Sequence, residues 1–207
     1  MPSDVYFTPA SSKRYEDALP RRAARLWKSA GLASVLEEGD LTAVKMHFGE
    51  PGNHHFLRPL LVAPIIESIR KAKAKPFLTD SNTLYRGGRS NAVDHLWTAL
   101  RHGFTPPVLD APVIIADGLH GKDSREVEVN LKHCKTVRIG SAIVDSDSMV
   151  VISHFKGHMA AGFGGAIKNL GMGAASRAGK QVQHSDVLPT IDKGACVGCK
   201  NCIRWCP

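Results

Sequence analysis

Cys196, Cys199, Cys202 and Cys206 crowd the end of the chain and are followed by Pro207. Their spacing, C-x2-C-x2-C-x3-C-P, is that of the bacterial ferredoxin ligand run. The first three thiolates can wrap one corner of a 4Fe-4S cubane, while the longer step starts a helix that carries Cys206 away. A zinc knuckle would set its ligands in two separated pairs, and disulfides are disfavoured in a reducing cytosol, so an iron-sulfur cluster is the expected cofactor. In two-cluster ferredoxins the fourth cysteine serves the other cluster. No second motif follows here, so the sequence reads as a truncated piece of a longer protein, with cluster binding weak or absent in these 207 residues alone. Cys134, in "LKHCKTV", reads as a structural thiol.

A second constellation lies upstream, in the stretch "HMAAGFGGAIKNLGMG" from His158 to Gly173. His158 and Lys168 are separated by Gly162, Gly164 and Gly165, so a loop rather than one helix face must bring them together. Glycines admit positive φ and let main-chain N–H groups approach a phosphate or carboxylate closely. Lys168 then supplies charge, as anion anchor or covalent attachment point, and Asn169 can bond a ligand carbonyl or cap a turn. His158 suits acid/base work near neutral pH, and His184 is a candidate ligand or second acid/base. His154 and His158 stand four apart, but Gly157 interrupts the helix that would put both imidazoles on one metal. The structural alternative is a glycine-rich turn packed on a sheet with solvated polar side chains.

These residues need a scaffold, and the hydrophobic periodicity supplies one. "LTAVKMHF" (41–48), "KPFLTD" (75–80), "APVIIADG" (111–118) and "SMVVIS" (148–153) read as strands, and "REVEVNL" and "KTVRIG" as alternating ones. Between them, 58–74 reads as an amphipathic helix with Pro59 in its first turn. A second helix spans 90–104, capped by Ser90 or Asn91, with an apolar face through Val93, Leu96, Trp97 and Leu100. Strands separated by helices predict an α/β domain with a mixed or mostly parallel sheet and flanking helices. Such sheets bind ligands at the carboxyl ends of their strands, where the loops here carry His47, Glu50, Asp80, Asn82, Thr83, Asp117 and Gly118. Arg86 and Arg89 are the stronger candidates in those loops, since paired guanidiniums suit carboxylate or phosphate. The expected organisation is a ligand-binding α/β domain over 1–190 and the start of a ferredoxin-type 4Fe-4S module over 191–207.

Composition narrows the partners. Hydrophobic residues make up 43% of the chain, enough for a core, and no apolar run approaches the roughly 20 residues of a membrane span. The N-terminus meets charge before any apolar segment, so it does not read as a secretory signal, and a cytoplasmic location is expected. The net charge is +8, but Lys and Arg are dispersed and aromatics amount to only 6%, which argues against nucleic acid and leaves a pocket for a small acidic ligand or a solvated basic surface.

Taken together, "AVKMHFGEPGN", "DSNTLYRGGR", "ADGLHG", "SHFKGHMAAGFGGAIKNLGMG" and the cysteine run resemble a family of iron-sulfur centre proteins of unknown function. The resemblance implies an α/β domain joined to a bacterial-type ferredoxin insert with a second cysteine motif further on. A weaker, local resemblance is to the nickel-pincer lactate racemase family, whose motif H-x-x-A-G-[aromatic]-x-G-G-x-K is similar to His158, Ala161, Gly162, Phe163, Gly165 and Lys168, with the glycine pair displaced by one position. It implies a catalytic base at His158, a nucleotide cofactor attached at Lys168, and a metal-ligand histidine at His184. "FLRP" and "TLYRGG" look like two further loops of that family, the second with Tyr85 where its other catalytic histidine falls. The resemblance therefore implies an architecture and an anion or nucleotide site more than racemisation. The leading expectation is an iron-sulfur oxidoreductase acting on a small anionic or nucleotide-like ligand with a redox partner protein. The rivals are an electron carrier or assembly protein without turnover, and an isomerase using a nickel-pincer type cofactor.

Overall fold

A computed structural model of the protein describes residues 3–11, 13–186 and 189–205. Helix α1 (Leu19–Ser29) precedes a βα alternation: β1 (Leu41–Lys45), α2 (Pro59–Lys71), β2 (Lys75–Asp80), α3 (Ala92–Arg101), the single turn α4 (Pro106–Leu109) and β3 (Val113–Ile115). A hairpin of β4 (Ser124–Glu128) and β5 (Thr136–Gly140) and the turn α5 (Ser141–Val144) then lead into β6 (Ser148–Val151). The chain continues through β7 (Lys156–His158), β8 (Gly162–Gly164), α6 (Ala166–Gly171) and α7 (Arg177–Gln183) to α8 (Asn201–Trp205).

The central sheet has the order β3-β2-β1-β6 and is parallel throughout, with Ala43 opposite Phe77 on one side and Met149 on the other. The fold is thus α/β with flanking helices, as the strand–helix alternation predicts. β4–β5 and β7–β8 stand outside it as two separate antiparallel pairs. Because β1, β2 and β3 step one way and β6 is added on the far side of β1, the strand order reverses between β1 and β6. Open sheets form their ligand crevice at such a switch, beyond the carboxyl ends of the strands.

Alternation along β1 assigns its side chains. Val44, Met46 and Phe48 enter the main core with Trp27, Val62, Ile66, Ile69, Leu78 and Phe104, while Lys45, between them, reaches α6 instead. Proline at the first position suits α2, since its N–H would be unpaired there in any case. Asn91 caps α3 by accepting from Asp94 N at 3.0 Å.

Three expectations need correction. The buried face of α3 is His95, Thr98 and Ala99, whereas Val93 and Trp97 are exposed, because His95 packs against Phe48 and Thr98 donates to the Gly88 carbonyl. β1 ends at Lys45, not at 48, although residues 46–48 remain almost wholly enclosed. The stretch after β6 is not one loop: its glycines build the β7–β8 hairpin, which leads straight into α6. The expected domain boundary includes Val187 and Leu188, which lie outside the described residues, as does Cys206.

Candidate functional site

The carboxyl ends of β1 and β2 carry a buried ion network. Lys45, with no exposed surface, pairs with Asp80 at 2.9 Å, and Arg89 Nη1 donates to the other Asp80 oxygen at 3.2 Å. Arg89 Nη2 also pairs with Glu50 and donates to the Tyr85 hydroxyl at 2.9 Å, while that hydroxyl donates to Glu50 Oε1 at 2.5 Å. Removing one partner from such a buried set is far more costly than the set's net contribution to stability. Burial alone would raise the Asp80 carboxyl. The charge of Lys45, His95 and the Arg89 guanidinium outweigh it and hold Asp80 far below the usual carboxylate range.

The same balance operates outward from Asp80. Burial opposes ionisation of Glu50, but the Arg89 hydrogen bond and charge bring it below its ordinary value. Burial, aided by Glu50, pushes the Tyr85 phenol up to about 12, so Tyr85 is a donor. His47 follows β1 directly; burial, then the charge of Arg89 with that of Lys156, lowers it to about 4, so its ring is neutral. Its Nδ1 accepts from Gly49 N at 2.9 Å, which leaves Nε2 as the protonated nitrogen.

Across the switch, Asn169 of α6 ties the glycine-rich segment to the sheet. Its oxygen accepts from Lys45 Nζ at 2.7 Å, and its amide donates to Ser153 Oγ at 2.9 Å and Ile152 O at 3.2 Å just beyond β6. Gly173 passes so close that a Cβ there would lie 2.7 Å from Lys45 Nζ and strike the Asn169 carbonyl. This clamp sets α6 so that Lys168 Nζ meets His158 Nε2 of β7. His158 Nδ1 accepts from Ala160 N at 3.3 Å and Ala161 N at 3.1 Å. Among the described residues neither Lys156 nor Lys168 pairs with a carboxylate. Lys168 has its amine shifted below the ordinary lysine value, by burial first and then by the charge of Lys156.

A family model described as Domain of unknown function (DUF362) matches residues 42–193, the sheet, the hairpin and the glycine-rich segment together. The chain belongs to the DUF362 family. Comparison with curated proteins yields no match. Among solved structures, the DUF362 chain is similar to the lactate racemase apoprotein from Thermoanaerobacterium thermosaccharolyticum, at 19% identity and a TM-score of 0.52. The alignment covers 74% of this chain and 35% of that one, so this chain spans about a third of that structure's length. The likeness concerns the fold.

Within this fold the expected site residues separate. His158, Lys168 and Asn169 come together, but Asn169 spends both ends of its amide on Lys45, Ile152 and Ser153, so it positions α6 and does not face a ligand. Gly162, at φ 73°, closes the hairpin turn; Gly164 is buried beside the Lys168 stem, and Gly165 precedes α6. The glycines therefore shape a hairpin. His184 is exposed at the end of α7, and its side chain makes no hydrogen bond among the described residues. Arg86 and Arg89 are not a pair: Arg89 is buried on Asp80 and Glu50, whereas Arg86 is exposed and donates to Arg204 O of α8 at 2.6 Å. Asn82 and Asp117 bond each other, Asn82 Nδ2 donating to Asp117 Oδ1 at 2.8 Å, and Thr83 donates to Tyr85 O, so these serve the loop framework. Gly118, at φ 69°, accepts from Asn82.

Cys196, Cys199 and Cys202 are free and exposed; among the described residues no three metal-binding side chains are drawn together, and Cys206 lies outside that set. The soft thiol donors suit iron-sulfur chemistry. Lys168 and His184 are the residues that would hold a nickel-type cofactor; His184 makes no hydrogen bond to the His158–Lys168 pair, and among the described residues it belongs to no cluster of three His, Cys, Asp or Glu side chains. Cys134 donates to Thr136 O at 2.9 Å, in keeping with a structural thiol. No helix among the described residues is long and apolar enough to cross a membrane.

Sequence reasoning missed Lys45, His95 and Lys180. Lys45 had a signal, a lone lysine inside the apolar strand "LTAVK". Lys180 had none: its Nζ donates to Ser81 Oγ at 2.5 Å and Ala175 O at 2.6 Å, docking α7 under β2, and burial lowers its amine to about 8.

Proposed function

We propose that this chain is the substrate-binding part of an iron-sulfur redox enzyme that holds a small organic anion over the β1/β6 switch. The observation that carries the reading is a pair of lysines without carboxylate partners among the described residues, Lys156 and Lys168, together with two histidines of defined tautomer, His158 in contact with Lys168 and His47 within reach of the Lys156 charge. Lys156 draws in a carboxylate or phosphate, and Lys168 stands beside it as a further hydrogen-bonding nitrogen. His158 and His47 exchange protons with it. The Asp80 network keeps Arg89, Glu50 and Tyr85 in register while these groups work.

Cys196, Cys199, Cys202 and Cys206 would hold the cluster, which when bound supplies one-electron transfer. The Arg86–Arg204 contact sets the cysteine-bearing helix beside the loop that also carries Tyr85. A redox partner protein and a cytoplasmic setting belong to the same proposal. The likeness to a lactate racemase fold favours a small 2-hydroxy or 2-oxo acid over a nucleotide and keeps an isomerase as the second reading.

Calorimetric titration of the protein with lactate, phosphate and adenosine monophosphate tests the site. Lactate should bind, and Lys156→Ala should weaken it by about ten-fold, the range of one charge-assisted contact, with Lys168→Ala weakening it by less, as the loss of a neutral hydrogen bond. Equal binding by both variants and the parent would refute the site. Iron without nickel in anaerobically purified protein supports the redox reading, whereas stoichiometric nickel supports the isomerase.

A further inference from the structure

We propose that Lys168 is an imine-forming nucleophile that condenses with the carbonyl of a small 2-oxo acid, with Lys156 receiving the acid's carboxylate. This rests on the anion site above and deepens it. Two consecutive main-chain donors, Ala160 N and Ala161 N, point at His158 Nδ1, which must therefore carry a lone pair. A neutral imidazole has one proton, so it resides on Nε2. That N–H is directed at Lys168 Nζ, the atom it contacts. An ammonium has no lone pair and would meet the N–H with a proton of its own, so the contact is a hydrogen bond only when the lysine is a free amine.

The surroundings favour the free amine for two further reasons. Lys168 is half-buried between the hairpin and α6, and Lys156 on β7 places a second cation nearby. A neighbouring cation and partial desolvation are the conditions under which lysines become nucleophiles near neutral pH. Lys156 is exposed and has no carboxylate partner among the described residues, so a ligand's carboxylate can take that place. His47, just past β1, also feels the Lys156 charge.

The chemistry balances without any external reagent. Lysine nitrogen adds to the carbonyl carbon, the carbon–oxygen bond breaks, and the two amine protons leave with the oxygen as water. His158 assists by giving its Nε2 proton to the departing oxygen and recovering one from nitrogen. The imine is then a positively charged electron sink when protonated, adjacent to the acid's carboxylate.

The test is reductive trapping. The protein is incubated with pyruvate and cyanoborohydride, which delivers hydride to the imine carbon, and the adduct is located by peptide mass mapping. Lys168 should be modified ahead of all other lysines. Lys168→Arg, which keeps the charge, should lose that adduct, and Lys156→Ala should reduce it about ten-fold at neutral pH while moving the pH of half-maximal trapping upward. Calorimetry with lactate, which has no carbonyl to condense, runs in parallel. Lactate binding with no selective adduct at Lys168 overturns the imine and leaves the anion site standing. The absence of both overturns both.

Discussion

Replacing Asp80 by asparagine keeps the shape of the side chain and removes the one negative charge that Lys45 faces. Arg89 retains Glu50, but Lys45, with no exposed surface, is left with neutral acceptors: the amide oxygen of the new side chain, Asn169 Oδ1 at 2.7 Å and Met46 O at 3.3 Å. Breaking one partner out of a buried pair costs about 3–5 kcal/mol, a large part of the 5–15 kcal/mol typical of a whole domain. With a urea dependence of about 2 kcal/mol per molar, the unfolding midpoint of Asp80→Asn should fall by about 2 M. The cause is tested by adding Lys45→Met: if the cost is an uncompensated buried ammonium, the double variant should recover at least half of the loss. Urea titrations followed by circular dichroism measure all four members of the cycle. A midpoint drop below about 0.3 M, or a double variant no better than Asp80→Asn, would refute the reasoning.

Acid should weaken the fold through its histidines. His47 and His95 are held at about 4 and about 3 by burial, so below the ordinary histidine value the unfolded chain takes up protons that the folded one refuses. Stability then falls as pH drops, by up to about 2.7 kcal/mol per pH unit for the two together. Among the described residues neither His95 ring nitrogen has a hydrogen-bond partner, and the ring packs edge-on to Phe48 at 5.7 Å. His95→Phe should therefore roughly halve that slope between about pH 6.5 and 5, read from urea midpoints; an unchanged slope would count against it. Gly173→Ala should cost about 1–3 kcal/mol, since its Cβ would press on Lys45 Nζ and the Asn169 carbonyl. A midpoint equal to the parent's would show that α6 yields without strain.

The sheet was legible because its signals are local. Short apolar runs alternating with helical periods specify parallel strands wherever they are read, and polar residues just past each run mark the carboxyl ends. Asp80, His47 and the glycine-rich segment were found for that reason. The apolar face of α3 misled for the opposite reason. Its periodicity favours Val93, Leu96 and Trp97, but in the fold His95 packs edge-on to Phe48 and Thr98 donates to the Gly88 carbonyl.

By itself the sequence determined the fold class, the cysteine spacing and the presence of a base and an amine in a glycine-rich segment. These depend on residue type and on neighbours within a few positions. Only the tertiary structure decided which charges meet. It turned Arg89 in to Asp80 and Arg86 out to Arg204, spent Asn169 on Lys45, Ile152 and Ser153, and brought Lys168 onto a histidine whose proton two backbone amides had already placed. Coulomb energies and hydrogen bonds depend on separations of a few ångströms between residues far apart along the chain, and those distances exist only once β1, β2 and β6 lie side by side.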